Sequence, residues 1–304
     1  MKSTFKRGSK VVFVHAINHD NKSGDLHQPL VSFVIPVLNS ERTLRKCLES
    51  IVHQNYPKIE IIIIDGGSID ASPSIAKKFG AKIYRVIGPL GEARNFGINN
   101  SSGELIALWD SDVYIPNFNW LSQSVNILNK FSMASTLWIR TVPPQNAGII
   151  AKAYDWFSWT VMLTLAKRGF GYWGGGISIF KRRMIEDVGG ITRGTDTGED
   201  YDLARKLAIK GYVVVFYDNP VYHDSHNTLS EFILKDLRRS TNFKRMGLSY
   251  LTGIPLRELI TINFIVGFFL SLKNLFTKKA IQFGIVPFLL LLRLITYVIS
   301  YLIR

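Results

Sequence analysis

The run Leu105-Ile-Ala-Leu-Trp-Asp-Ser-Asp112 limits what this chain can become more than any other stretch, because its chemistry changes in one step. Leu105 to Trp109 is unbroken apolar sequence, and Asp110 and Asp112 follow at once. An apolar run without alternation reads as a strand covered on both faces, as in parallel sheets. Asp110 and Asp112 then fall just past the strand's carboxyl end, where open α/β sheets place their ligands. Two such carboxylates make a hard oxygen site, suited to Mg²⁺ or Mn²⁺ carrying a diphosphate rather than to a closed protein cage. Alone, the same residues also describe a solvated acidic turn.

The preceding chain repeats the pattern. Val31 to Val37 is β-rich, and Asn39 or Ser40 is placed to cap a helix whose apolar face is Leu44, Cys47, Leu48 and Ile51. Ile59 to Ile64 is a second buried strand, ending in Asp65-Gly66-Gly67-Ser68-Ile69-Asp70. Ser72 as cap, Pro73 at the first helical position and Gly80 as stop bound the next helix. Lys82 to Val86 is a third strand, and Gly91 to Asn100 reads as helix before the Leu105 strand. Strands alternating with helices predict an open parallel α/β sheet. Asp65, Asp110 and Asp112 all stand at strand ends, so they form a constellation. A dinucleotide fold needs Gly-x-Gly-x-x-Gly after its first strand, and Pro36-Val37-Leu38-Asn39 stands there instead.

With 304 residues the chain can build one large core or two modest ones. A net charge of +14 suits nucleic acid, anionic lipid or anionic small substrates, or simply a solvated basic face. No aromatic-basic nucleic-acid module is visible, so nucleic acid is not an expected partner. Cys47 is the single cysteine, which excludes an internal disulfide and a cysteine zinc site. Met1 to Pro29 reads as a basic leader; its apolar stretch Val11 to Ile17 is short, contains His15 and lacks a small-residue cleavage site. A cytoplasmic catalytic domain is expected.

Beyond the acidic turn, Phe118 to Phe131 reads as helix and Ser135 to Val142 as strand, followed by an aromatic-rich helix over Ala147 to Ala166 that packs or faces lipid. In Phe170-Gly-Tyr-Trp-Gly-Gly-Gly176, glycines permit close backbone approach and Tyr172 and Trp173 offer flat apolar faces. That loop, with Gly174 and Gly175, is either an acceptor-binding surface or a tight core turn. Ile177 to Phe180 and Tyr212 to Tyr217 are further strands. Thr197-Gly198-Glu199-Asp200 opens a helix, where acidic residues also suit the helix dipole. Thr228 and Glu231 form a capping box before the basic run Lys235, Arg238, Arg239, Lys244 and Arg245.

The composition changes in the tail. Leu259 to Leu272 is apolar but short, and Ile281 to Ile303 has the roughly 20 residues a span needs, interrupted by Arg293. The expectation is a membrane-associated helical tail, the first segment interfacial and the second crossing, with Lys273, Lys278 and Lys279 on the cytoplasmic side. A buried helical pair is the alternative. The resulting division is a leader over 1–29, a catalytic domain over 30–250 and a tail over 251–304.

Taken together, Val31-Ser-Phe-Val-Ile-Pro-Val-Leu-Asn39, Asp65 to Asp70, Gly91-Glu-Ala-Arg-Asn95, Asp110-Ser-Asp112 and Gly198-Glu-Asp200 resemble the family 2 glycosyltransferases. The resemblance covers about Val31 to Lys244 and implies a GT-A fold: a mixed, mainly parallel open sheet flanked by helices, followed here by the hydrophobic tail. It implies that Pro36, Asn39, Asp65 and Arg94 line the nucleotide-sugar site, with Asp65 on the base, and that Asp110 and Asp112 hold the metal. His223 matches a histidine after the last core strand that completes the metal set. Asp200 is implied as general base, with Glu199 beside it near the acceptor. Gly66 stands where many relatives carry Asp or Asn. Asn242-x-x-Arg245-Met246 departs from the motif of processive synthases, which favours transfer of one sugar. The expected reaction is inverting transfer from a nucleotide-diphosphate sugar to a lipid-linked or glycan acceptor. A nucleotidyltransferase and a non-catalytic membrane scaffold are the competing readings.

Overall fold

In the computed structural model, which describes residues 8–14, 28–194, 198–224, 228–234, 236–237, 254, 261, 265, 267–278 and 282–302, the Leu105 run is a central strand. The first elements are β1 (Lys10–Val14), β2 (Val31–Val37), α1 (Glu41–Val52), β3 (Ile59–Asp65), α2 (Ser72–Lys78), β4 (Lys82–Arg85), α3 (Leu90–Asn99) and β5 (Leu105–Leu108). After these come β6 (Val113–Tyr114), α4 (Trp120–Lys130), β7 (Ala134–Val142), α5 (Ile149–Lys167), β8 (Ser178–Lys181), α6 (Arg182–Asp187), α7 (Glu199–Ile209) and β9 (Val213–His223).

The strand order is β1-β9-β7-β8-β5-β2-β3-β4, with β6 paired to β9. The β5-β2-β3-β4 part is parallel throughout, as the alternation predicts. β8 enters antiparallel to both β5 and β7, which makes the sheet mixed. Successive side chains of β2 go to opposite faces: Phe33 and Ile35 join Leu44, Cys47, Leu48 and Ile51 of α1, whereas Val34 joins Ile98 of α3 and Leu203 and Leu207 of α7. Burial on both faces is the physical reason these strands read as continuous apolar runs.

Several expectations change. Lys10–Val14, inside the expected leader, is a strand paired in parallel with Val213–Tyr217 of β9. Ser72 does not cap α2, and neither Asn39 nor Ser40 caps α1 through its side chain. Instead Asp70 Oδ2 accepts from Glu41 N and Glu41 Oε2 accepts from Ala71 N, each at 3.0 Å, so the two helix starts exchange carboxylates. Ser72 Oγ accepts from Ser40 N at 2.8 Å.

The chain forms two compact units, one of Lys10–Thr141 and Trp173–His223, the other of Met1–Ser9, Val142–Tyr172 and Asp224–Arg304. The second therefore takes α5 from the expected catalytic domain and groups it with the tail. Within it, Trp156 meets Phe283 edge-on at 4.7 Å and Arg293 forms a two-pronged pair with buried Asp236, at 2.8 and 3.0 Å. The Thr228–Glu231 capping box is present in both directions. Among the described residues no helix is long and apolar enough to cross a membrane. The expected crossing segment is the helix Gln282–Leu302, whose Arg293 is satisfied by Asp236 within the unit. Thr197, His226, Lys235, Arg238, Arg239, Lys244, Arg245, Leu259 and Lys279 lie outside the described residues.

Candidate active site

Asp110 and Asp112 lie in the turn between β5 and β6, just past the strand end. Trp109 anchors that turn: its fully buried ring packs edge-on against Phe33 and Trp120, and its Nε1 donates to Val113 O at 3.1 Å. The antiparallel β6–β9 pairing sets Val113 opposite His223 and so delivers the imidazole to the acidic turn. One ligand atom each from Asp110, Asp112 and His223 lies within 4.8 Å of the others, and His223 Nε2 is 3.3 Å from Asp112 Oδ2. Two carboxylates and an imidazole, all partly exposed, fit Mn²⁺ or Mg²⁺ with positions left for diphosphate oxygens.

The neighbouring strand ends carry Pro36, Asn39 and Asp65. Pro36 is the sixth residue of β2, level with Ile64 of β3. Asn39 has φ 48°, a left-handed conformation an asparagine tolerates. Its N donates to Ser68 Oγ and its Oδ1 accepts from Ile69 N, both at 2.9 Å. Asp65 is buried and its Oδ1 accepts from Ser68 N at 3.0 Å. The Asn39 and Asp65 turns are thus fastened into one piece.

Arg94 is placed differently from the expectation that it faces the nucleotide. Its side chain is 4% exposed; Nη1 donates to Glu199 Oε1 at 2.8 Å and Nη2 to Asp110 Oδ1 at 2.9 Å. From this buried position it holds the carboxylates of Asp110 and Glu199 on one planar cation. Although burial opposes its charge, Glu199 and Asp110 hold the guanidinium above its usual pKa. Burial pushes the Glu199 carboxyl up to about 7, with Asp200 adding to the rise and Arg94 opposing it.

Asp200 is the second residue of α7; its Oδ1 accepts from Tyr201 N at 2.9 Å. Gly175 lies directly against its backbone: a Cβ there would collide with the carbonyl group of Asp200. Trp173 is buried and stacks on Trp138 at 5.2 Å with planes 14° apart, and Trp138 in turn meets Phe216. Its flat face is taken up by packing, as in the core-turn alternative for this loop. Gly174 is also buried, packed against Thr136 and Val214. Tyr172 is half-buried and belongs to the other unit.

Sequence reasoning gave no role to Asn95, Ser68 or Glu41. Asn95 stands inside the Gly91–Asn95 motif, but its partner Ile191 is 96 positions away, and nothing in the residue types announces the pairing.

The fold and the site define the class of GT-A glycosyltransferases. The model of glycosyl transferase family 2 matches residues 32–188 and that of glycosyl transferase family group 2 matches residues 125–303. The chain belongs to glycosyl transferase family 2. Among curated relatives, glycosyltransferase AglE of Haloferax volcanii is 28% identical over 222 residues, covering 69% of this chain and 71% of its own. An uncharacterized glycosyltransferase of Rickettsia typhi is 41% identical over 108 residues, covering 34% of this chain and 33% of its own, so that match spans about a third of the relative. Among solved structures, a mannosyltransferase from Pyrobaculum calidifontis in complex with GDP-Man and Mn²⁺ has a TM-score of 0.56 at 17% identity, covering 92% of this chain and 77% of that one.

Proposed function

We propose that this glycosyltransferase moves one sugar, with inversion, from a nucleotide-diphosphate sugar to a lipid-linked acceptor, with its catalytic unit at the cytoplasmic face of a membrane. The observation that carries the reading is Arg94 joined at once to Asp110 of the metal cluster and to Glu199, the neighbour of Asp200. One guanidinium, through two ion pairs, thereby ties the donor side to the acceptor side.

Asp110, Asp112 and His223 would hold Mn²⁺ or Mg²⁺, which supplies charge neutralisation on the departing diphosphate. Asp65 and Asn39, fastened together through Ser68 and Ile69, form the floor for the nucleoside. Asp200 accepts the acceptor hydroxyl proton as the oxygen attacks the anomeric carbon. The bond to the diphosphate breaks on the opposite face, which inverts the centre and releases a nucleoside diphosphate. Gly175, rather than Trp173, is the backbone next to Asp200 on the acceptor side.

A lipid-linked acceptor and membrane attachment draw support from the tail helices. Phe268, Phe269 and Phe276 of one, and Phe288, Leu291, Leu294, Ile295 and Ile299 of the other, are exposed, while Phe283, Val286, Leu289 and Leu290 are buried. Helices apolar on the outward side, in a chain of net charge +14, suit the interface of an anionic bilayer.

The test is a panel of nucleotide sugars with polyprenyl phosphate and membrane extract as acceptors, read by the released product. Release of a nucleoside diphosphate together with a glycosylated lipid is expected. Release of inorganic diphosphate would instead establish a nucleotidyltransferase, and transfer to free glycans alone would remove the lipid acceptor.

A further inference from the structure

Two consecutive residues of α3 fasten two points on the way from α6 to α7. Asn95 Nδ2 donates to Ile191 O at 2.7 Å and Asn95 Oδ1 accepts from Ile191 N at 3.0 Å, so one side chain satisfies both polar groups of one residue. Arg94, one position earlier, binds Glu199. The turn at Ile191 has further supports. Lys206 Nζ donates to Gly190 O and Asp202 Oδ2 accepts from Thr192 N, both at 2.8 Å. Gly190 has φ +66°, and a Cβ there would stand 2.8 Å from Asn95 Oδ1. Glycine is therefore required both by conformation and by the approach of the amide.

We propose that Asn95 is a positioning residue for sugar transfer: by fixing Ile191 while Arg94 fixes Glu199, it sets where Asp200 stands relative to Asp110. The inference rests on the transferase reading above. A primary amide presents a donor and an acceptor side by side, as the Ile191 carbonyl and N–H demand. A carboxylate would keep the bond from Ile191 N but face Ile191 O with no donor. The donor-side turns have their own fastening through Ser68 and Asp70, so loss of Asn95 leaves them in place. A displacement of about 1 Å in a reacting group can cost about 10²-fold in rate.

The experiment compares the full chain with Asn95→Ala, Asn95→Asp and Lys206→Met. Tyr212→Phe, which loses a 2.7 Å bond to Asp187, serves as a control for simple destabilisation. Three quantities are read on folded protein: nucleoside diphosphate affinity with Mn²⁺ by calorimetry, donor hydrolysis by water, and transfer to acceptor. Asn95→Ala and Asn95→Asp are expected to keep nucleotide affinity and hydrolysis within about twofold while transfer falls about 10- to 100-fold, the scale of a misplaced reacting group. Lys206→Met, which removes the Gly190 contact and the 3.2 Å ion pair with Asp202 but leaves the Asn95–Ile191 bonds, should shift the transfer-to-hydrolysis ratio the same way by less. If the Asn95 variants lose hydrolysis and transfer in equal proportion, or match Tyr212→Phe, the positioning role is overturned. If Asn95→Ala does not fold, Asn95→Asp and Lys206→Met decide by the same ratio. A wild-type chain that transfers no sugar overturns the transferase reading itself, and the inference falls with it.

Discussion

Arg94 Nη2 stands 2.9 Å from Asp110 Oδ1, and the same guanidinium reaches Glu199 at 2.8 Å. A buried cation between two carboxylates is stable only while both partners remain, because an orphaned buried charge is far costlier than a missing pair. Arg94→Met is therefore expected to destabilise the chain by about 3–5 kcal/mol. Above pH 7, where the Glu199 carboxyl is ionised, adding Glu199→Gln to it should recover part of that loss, since a neutral amide needs no counterion. Equilibrium urea unfolding of the two single variants and the double variant reads the coupling; strict additivity would show that the pair does not act as one.

Glu199 also links stability to pH. Its carboxyl lies at about 7 in the folded chain against an ordinary 4.5, with burial the largest cause. Between those values the folded state holds a proton that the unfolded state has released. The stabilisation is fully present below pH 4.5 and is lost as pH rises through 7, at up to about 1.4 kcal/mol per pH unit inside the window. Urea midpoints measured across that range should show this decline for the wild type, and Glu199→Gln should remove it. Parallel curves for the two proteins would refute the linkage.

The metal cluster predicts a division between folding and turnover. Asp112 and His223 are partly exposed, so Asp112→Asn should melt near the wild-type temperature yet lose most turnover stimulated by Mn²⁺ or Mg²⁺. Calorimetric Mn²⁺ titration with a nucleoside diphosphate present should show weakened binding. Full turnover in excess chelator would sink the assignment of these three residues.

Asp200→Asn should preserve donor binding and lower transfer to a hydroxyl acceptor by about 10²–10⁴-fold, the usual worth of a positioned base. If binding and transfer fell together, Asp200 would belong to the donor site. If neither changed, the acceptor would already be ionised, as a lipid phosphate is.

Attachment through exposed aromatic and aliphatic side chains of the tail predicts fractionation with membranes that resists high salt and yields to detergent. Recovery of the full-length chain as a soluble monomer without detergent would contradict it.

Much of the donor side was legible in the chain itself. Asp65, Asp110 and Asp112 announce themselves because an apolar run covered on both faces must end somewhere, and a carboxylate marks the end. β1 was hidden because Lys10–Val14 is short and lies in polar, basic sequence, and its partner β9 begins some two hundred positions later. The two alternatives for Trp173 could not be separated in the chain itself, because an aromatic beside glycines looks the same whether it stacks on a ligand or on Trp138. That Arg94 is buried between two carboxylates was not legible, since burial of a charge depends on Glu199 and Asp110 arriving from elsewhere.

The short ladder between β6 and β9 has a consequence for the order of folding. Only the pairs Val113↔His223 and Tyr114↔Tyr222 bring the imidazole to the acidic turn. The loop they close contains β7, β8 and α7, so the three ligands converge only after most of the sheet has assembled. A nascent or partly unfolded chain therefore offers a divalent cation two aspartates without the histidine. A divalent cation held by all three would bind the native protein more tightly than such intermediates and oppose unfolding, and the melting temperature should rise with the logarithm of its concentration once the site is saturated.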